Sequence, residues 1–368
     1  MEKFKVAESN NSNAIEAVSS IKEQLSGVDA SLILYFVSSS YQVDVVSKEM
    51  AGAFSGVQTV GCTTAGELIS GKIGKDSIVA MAWSKASLKY LKVEVLENIK
   101  ENCEKAVENA FKSIEKSLGK TMNELDPTKY AGLIIIDGLS GCEETLNDLM
   151  GNYTNVPIIG GSSGDDFKFE QTALMVNGKT YANAAVFMLL EPTNGYVTLK
   201  TQSFSITDKK LVPTKVNEAR RMVVEFNGKP AAQAYAQALG ISEEELAKNL
   251  GQYPVGLVFD ENNFFVRSPQ QIEGTSVLFY CAVKEGQELT VLNPADIVEG
   301  TRADLQKCGD AEALVDFCCC LRILELKRKE ETEAYSELFK NIPAIGFSTY
   351  GESYIGHINQ TSTILLLK

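Results

Sequence analysis

The sequence predicts a mixed α/β protein of two domains, with mixed β-sheets flanked by helices, and three observations carry that reading. A strand-and-turn motif occurs three times, as VQTVGCTTAGE at 57–67, VPIIGGSSGDD at 156–166 and IPAIGFSTYGE at 342–352. Each copy follows an apolar run and a stretch with helical spacing, so strand, helix and strand recur in that order. A chain of 368 residues also exceeds what one hydrophobic core usually serves, and an apolar fraction of 44% supplies two.

Residues 1–30 read as a lead-in. SLILYFVSS at 31–39 is then a first strand, and Val43, Val46, Met50 and Phe54 share one helical face before the first motif strand at Val57–Val60. Ser77–Trp83 and Leu88–Leu96 read as strands, and 101–118 as an amphipathic helix carrying Cys103, Val107, Ala110, Phe111 and Ile114. Gly132–Asp137 opens the second unit, Cys142–Tyr153 is its helix, and Pro157 leads into the second motif strand. Asn177-Gly178 between two alternating runs is a strong hairpin signal. Composition turns polar beyond Glu191, which puts a domain boundary near 210 and divides the chain into 31–210 and 211–368.

In the second half, Arg221–Phe226 reads as a strand, and Ala231–Leu239 and Ser242–Leu250 as helices, the latter opened by a capping box of Ser242 with Glu245. Phe264–Arg267, Ser276–Cys281 and Leu289–Val291 read as consecutive antiparallel strands. ALVDFCCCL at 313–321 is a buried strand, Glu330–Phe339 a helix, Ile342–Gly346 the third motif strand and Thr361–Leu367 the last strand. Tyr253-Pro254-Val255-Gly256 stands where another motif strand is due, without the Ser/Thr pair. Gly61, Gly160, Gly256 and Gly346 are 99, 96 and 90 residues apart, so the expectation is about four repeated strand-helix-strand units.

The chemistry of the motif follows from its residue types. Glycine lets the backbone approach another group closely, Ser and Thr hydroxyls donate and accept, and an ionised carboxylate only accepts. That set suits a small polar or cationic group better than a phosphate. The competing reading is that the same groups only tie the turn down and cap the next element. A net charge of -13 and the lack of a basic stripe argue against nucleic acid. With no signal-peptide core and no stretch long enough to span a bilayer, the expectation is a cytoplasmic protein. The eight cysteines, without any C-x-x-C, read as buried small hydrophobes of a reducing compartment. No metal site is expected, because consecutive strand residues such as Cys318 and Cys319 point to opposite faces.

The runs GCTTAGEL and IIGGSSGDD, the FNGKPAAQAY stretch, FVRSP at 265–269, Phe317-x-Cys319-x-x-Arg322 and the terminal GFSTYGES with NQT resemble the FIST family of sensory proteins. The resemblance runs from about residue 30 to the end, in the family's order of N-terminal and C-terminal domains. It implies a module that senses a small ligand such as an amino acid or, in some members, haem. No output element is expected within the chain, so signalling would pass to a separate protein such as a histidine kinase, cyclase or chemoreceptor.

A zwitterionic ligand needs a cation for its carboxylate and acceptors for its ammonium. Arg267 and Arg322 are the expected clamp, and Glu67, Asp165 and Glu352 the expected acceptors. Thr63, Thr64, Ser162, Ser163 and Ser348 would fill the remaining bonds, with Cys62, Asp166, Cys319, Tyr350 and Asn359 completing the expected wall. Internal salt bridges of the two arginines with those carboxylates are the alternative. His357, the single histidine, is the haem candidate, although it stands one place from where the family resemblance puts it. Cys62 is the candidate nucleophile if the protein were a thiol enzyme, and a scaffold without a ligand is the third alternative.

Overall fold

The apolar runs of the sequence become strands buried on both faces, and the helical spacings become the helices that cover one of those faces. The computed structural model describes residues 2–260 and 263–368. A first unit extends to Thr201 and resumes over Arg302–His357 and Ser362–Lys368, and a second comprises Gln202–Thr301 and Ile358–Thr361.

Three modules build the first unit. In the first, β1 (Phe4–Ser9), α1 (Ala14–Gln24), β2 (Ala30–Ser38), α2 (Val43–Ala53) and β3 (Gln58–Thr64) lead to a hairpin, β4 (Glu67–Ile69) and β5 (Lys72–Gly74), and a closing strand, β6 (Ile78–Ser84). The second repeats that order with β7 (Leu88–Glu97), α3 (Ile99–Leu118), β8 (Ala131–Ile136), α4 (Glu143–Tyr153), β9 (Ile158–Ser162), the hairpin β10 (Leu174–Val176) and β11 (Lys179–Tyr181), and β12 (Ala184–Pro192). The third starts with β13 (Tyr196–Gln202) and is interrupted in sequence by the second unit.

That unit holds β14 (Phe204–Leu211), β15 (Pro213–Asn217), β16 (Met222–Phe226), β17 (Lys229–Pro230), α5 (Ala231–Leu239), α6 (Glu243–Asn249), β18 (Val255–Asp260), β19 (Asn263–Arg267), β20 (Pro269–Glu273), β21 (Ser276–Phe279) and β22 (Leu289–Pro294). They form two antiparallel sheets, ordered β14-β22-β18-β19 and β15-β16-β21-β20. The third module then continues with α7 (Ile297–Cys308), β23 (Ala313–Cys319), α8 (Cys320–Arg328), α9 (Thr332–Ser336), β24 (Ala344–Thr349), the hairpin β25 (Glu352–Tyr354) and β26 (His357–Ile358), and β27 (Thr361–Leu367).

Each module centres on a parallel pair, β2 with β3, β8 with β9 and β23 with β24. The hairpins are exchanged in a closed cycle. The first module's β4 pairs with β24, the third module's β25 with β9, and the second module's β10 with β3. The result is three six-stranded sheets of one pattern, β1-β6-β2-β3-β10-β11, β7-β12-β8-β9-β25-β26 and β13-β27-β23-β24-β4-β5. One face of each sheet enters a shared core where Phe36, Phe317 and Phe347 meet, with ring centroids 4.6 to 6.4 Å apart. The opposite faces of the first two sheets pack on their own helices, as with Ile33, Tyr35 and Val37 under α1 and α2.

The motif glycines are explained by this pairing. Gly61, Gly160 and Gly346 lie in register with Tyr35, Ile134 and Asp316. A Cβ at each would fall 2.5, 1.8 and 2.1 Å from the carbonyl oxygen of that partner.

Four expectations are revised. Residues 1–30 are not a lead-in, because β1 and α1 belong to the first module, α1 being capped by Asn13, whose Oδ1 accepts from Ile15 and Glu16. The division near 210 differs from the structure, which changes unit at Gln202 and returns at Arg302, since β23, β24 and β27 complete a sheet with β4 and β5. The fourth copy is not a strand-helix-strand unit: β18 pairs antiparallel with β19 and β22, and the atoms nearest a Cβ on Gly256 are those of the Leu292 side chain. The buried run at 313–321 ends as a strand at Cys319, and Cys320 already begins α8.

Candidate functional site

The three motif turns meet, and they meet through backbone. Ala65 N donates to Ser348 O at 3.1 Å, Tyr350 N to Ser162 O at 3.1 Å and Gly164 N to Thr63 O at 3.0 Å. Ser348, Ser162 and Thr63 in turn donate from their own N–H groups to Gly66, Gly351 and Ala173. These turns sit at the carboxyl ends of parallel strands, where open α/β sheets place their ligands. Thr63 Oγ1 accepts from Ala173 N at 3.0 Å, whereas Ser162 Oγ and Ser348 Oγ are buried with no hydrogen-bond partner among the described residues.

All three expected acceptors are occupied, two of them within their own turns. Thr64 Oγ1 donates to Glu67, which also accepts from Ser77 N and Oγ at 3.2 and 2.8 Å. Burial raises the Glu67 carboxyl from 4.5 to about 7, against the lowering pull of those donors. Thr349 Oγ1 donates to Glu352 at 2.5 Å, the same step of three residues. In the first and third copies the terminal carboxylate therefore ties its own turn, as the structural alternative holds. The second copy carries Asp166 at the same step, but Ser163 Oγ donates instead to Ile136 O at 3.2 Å.

The second copy differs in length as well. Glu67 and Glu352 begin a hairpin strand at once, but Gly164 is followed by a loop that reaches β10 only at Leu174. Asp165 organises it. One oxygen accepts from Tyr350 Oη at 2.5 Å and Phe169 N at 2.9 Å, the other from Glu170 N and Gln171 N at 2.7 and 3.0 Å. Burial pushes the Asp165 pKa up, but the Tyr350 and backbone donors outweigh it and hold the group below its ordinary value. Asp166 Oδ2 accepts from Ser39 Oγ at 2.6 Å and Ser38 Oγ at 3.1 Å. Asp166, Phe167 and Phe169 take φ of 57°, 62° and 54°, left-handed values that non-glycine residues rarely adopt. Phe169 stacks on Tyr350 with centroids 5.0 Å apart and stays largely exposed.

Beside this loop lies a polar recess of about 220 Å³, lined among others by Ser39, Tyr41, Thr63, Asp165, Lys168 and Glu170. It joins residues of two motif turns, Thr63 and Asp165, to a cation and an anion that sequence reading had not singled out. Lys168 Nζ reaches Ser39 Oγ at 2.9 Å. The signal for Lys168 and Glu170 was the loop itself, FKFEQ inserted where the other copies have none.

The remaining expected residues lie elsewhere. Arg322, on α8, is buried beside Asp316 and over the Tyr335 ring at 5.7 Å. Burial raises Asp316 to about 6, opposed by Ser362, Arg322 and Tyr335. Arg322 is thus engaged internally, and Arg267 belongs to the second unit, where it donates to Val266 O at 3.2 Å. Asn359 also lies in the second unit, buried, with Oδ1 lacking a hydrogen-bond partner among the described residues. Cys319 is buried at the end of β23. Cys62 is fully buried in the shared core, and burial, with Glu67 nearby, drives its thiol well above its ordinary pKa, the opposite of what a nucleophile needs. His357 is buried with its Cε1 edge against Gly351, where an added Cβ would fall 2.2 Å from Cε1. Among the described residues no group of three His, Cys, Asp or Glu is placed to hold a metal ion, and no helix is long and apolar enough to cross a membrane.

Comparison with known proteins bears on most of the chain. It is 23% identical over 306 residues to an uncharacterized protein, MJ1623, of Methanocaldococcus jannaschii, covering 77% of this chain and 58% of that protein. Residues 31–229 match the FIST N domain and residues 231–354 the FIST C domain. These matches take in nearly the whole chain, which belongs to the FIST family of sensory, small-ligand-binding domains.

Proposed function

We propose that this protein binds a small zwitterionic metabolite, such as an amino acid, in the recess beside the 163–173 loop, and passes its state to a separate signalling protein. One observation carries the reading: two motif turns contribute to a single concave site that holds both charge signs, with Lys168 for a carboxylate and Glu170 for an ammonium. Ser39, Tyr41 and Thr63 supply hydroxyls between them. At about 30 Å³ per water, a volume near 220 Å³ corresponds to about seven waters, the scale of a small amino acid.

The recess also favours ligand binding over a scaffold, since a scaffold's turns would have no reason to enclose one. Signalling follows from the loop. A ligand that draws Lys168 from Ser39 loosens a segment already held in left-handed conformations, and the exposed Phe167–Phe169 face would reorganise with it. A partner kinase, cyclase or chemoreceptor would read that face. Eight free cysteines agree with a reducing, cytoplasmic setting. Haem ligation would require the His357 ring to leave its packing on Gly351, and a thiol mechanism would require Cys62 to leave the core, so neither alternative is adopted.

Thermal melting with a panel of amino acids tests the proposal, because a ligand bound only by the folded state raises Tm. At least one amino acid is expected to raise the Tm of the parent, while its amide and N-acetyl derivatives do not. Lys168→Ala should fold normally and lose the response. A parent indifferent to every amino acid at millimolar concentration, or a Lys168→Ala protein that responds like the parent, overturns it.

A further inference from the structure

The three modules place a hairpin from a neighbour over the end of each motif strand, beside the helix that precedes it. Each hairpin turns on two residues of which the second is glycine: Ser70-Gly71, Asn177-Gly178 and Ile355-Gly356. In the third module this arrangement is shut. A Cβ on Gly71 would fall 3.0 Å from Lys340 Cβ, and the space under the hairpin is about 10 Å³. In the first module it is shut as well: a Cβ on Gly178 would fall 3.2 Å from Ala51 Cβ, and Ser47 Oγ donates to Lys179 O at 3.1 Å.

In the second module it is open. A Cβ on Gly356 would meet nothing within 4 Å, and a cavity of about 350 Å³ lies between α4, β9 and the β25–β26 hairpin. We infer that this cleft is a second ligand site, taking a neutral, mainly apolar small molecule with one hydrogen-bonding end.

Two features mark the rims of the cleft. Gly151 stands inside α4, where glycine weakens a helix relative to alanine, and a Cβ there would touch nothing within 4 Å. Gly151 is exposed and lines the cleft from its solvent side. At the opposite rim, Ile355 takes φ 62° and is 81% exposed. A β-branched residue in the left-handed region is strained, and the equivalent positions hold Ser70 and Asn177. A large apolar side chain is therefore held at the cavity mouth against both its backbone preference and its solvation.

The lining sets the chemistry. Val156, Ile158, Ile159 and Tyr354 form an apolar floor and wall, Asn155 and Thr198 offer an amide and a hydroxyl, and no lining residue is charged. The volume corresponds to about a dozen waters, within the range of small-molecule pockets and suited to a single ring with a short substituent. This site is separate from the polar recess, so the two readings stand or fall independently.

The test uses the whole protein with indole, benzyl alcohol and cyclohexanol as neutral probes, and benzoate and benzylammonium as charged ones. Binding is read by saturation-transfer NMR and by Tm. At least one neutral probe is expected to bind at millimolar concentration or tighter, and the charged probes at least about tenfold more weakly. Gly151→Leu fills the cleft from its open side and should abolish the signal while Trp83 emission stays that of a buried indole. Ile355→Asn, which suits the turn, should raise Tm and weaken the probe several-fold. No binding by any neutral probe, equal binding of the charged ones, or an undiminished signal in a folded Gly151→Leu protein overturns the inference.

Discussion

Replacing Gly160 by alanine tests the packing of the parallel pairs most directly. The new Cβ would lie 1.8 Å from Ile134 O. Non-bonded carbon and oxygen rest no closer than about 3.3 Å, so β8 and β9 must part by more than an ångström. Forcing one methyl into a filled core costs about 1–3 kcal/mol, and each ladder hydrogen bond lost or stretched adds about 1 kcal/mol. With two or three bonds affected the cost is about 3–6 kcal/mol, a large share of the roughly 5–15 kcal/mol that holds a domain together. Gly346→Ala, 2.1 Å from Asp316 O, should cost nearly as much, and Gly61→Ala, 2.5 Å from Tyr35 O, somewhat less. Gly256→Ala is the control: its nearest neighbour is the flexible end of Leu292 at 3.0 Å, and the change should stay within about 1 kcal/mol.

Urea titration reads the series. Trp83, the single tryptophan, is fully buried in the first unit and reports on that unit alone, while far-UV circular dichroism covers the control. A Gly160→Ala protein whose midpoint and m-value match the parent would refute the argument from carbonyl contact.

Glu67 makes stability depend on pH. Its folded pKa of about 7 exceeds the ordinary 4.5, so the folded state holds a proton that the unfolded chain releases, and stability falls as pH rises between those values. The drop is about 3 kcal/mol, and Glu67→Gln should remove it, as urea midpoints at about pH 5 and about pH 8 would show. Asp165→Asn turns two acceptors into one and sets an amide N–H₂ against backbone donors. It should open the 163–173 loop at a cost of about 2–3 kcal/mol, read as faster limited proteolysis within that loop. Because the Asp165 pKa is depressed, the parent loop is tight above the ordinary carboxylate range and should loosen in the same assay as pH falls through the lowered value.

Which parts of this molecule were legible in the sequence follows from the range of the forces involved. The βαβ pairs could be read because their strands are long apolar runs and their helices carry one face, as with Val46 and Met50 on α2. The motif glycines could be seen, but their cause could not, since it lies in the carbonyl of a neighbouring strand. The hairpin exchange left no trace because three-residue strands such as Glu67–Ile69 are too short to show a period. Cys319 and Cys320 fall on different elements although the apolar run continues across them, with no Gly, Pro or side-chain cap to mark the change. At the recess, Thr63 and Asp165 were found through the repeat. Lys168 and Glu170 were missed because they lie in the segment where the copies cease to match, and a motif search looks for agreement.

The exchange of hairpins makes a further demand, which truncation can test. A fragment of residues 1–210 contains two complete modules by chain order, yet β9 would lose β25, and β4 would lose β24. Phe36 would lose Phe347 and Phe317, and the apolar faces of β2, β3, β8 and β9 that line the shared core would meet water. The fragment should therefore lack a cooperative urea transition and should expose Trp83. Removing Ser203–Gly300 instead takes no strand from the three sheets. A Cβ on Gly300 would lie 3.7 Å from Gln202 O, so the two chain ends are adjacent and a short Gly-Ser bridge can replace Ser203–Gly300. That deletion protein should fold with Trp83 buried despite losing more than half of residues 211–368. If the 1–210 fragment were instead monomeric and cooperative with native Trp83 emission, the closed cycle of hairpins could not be what holds the first unit together.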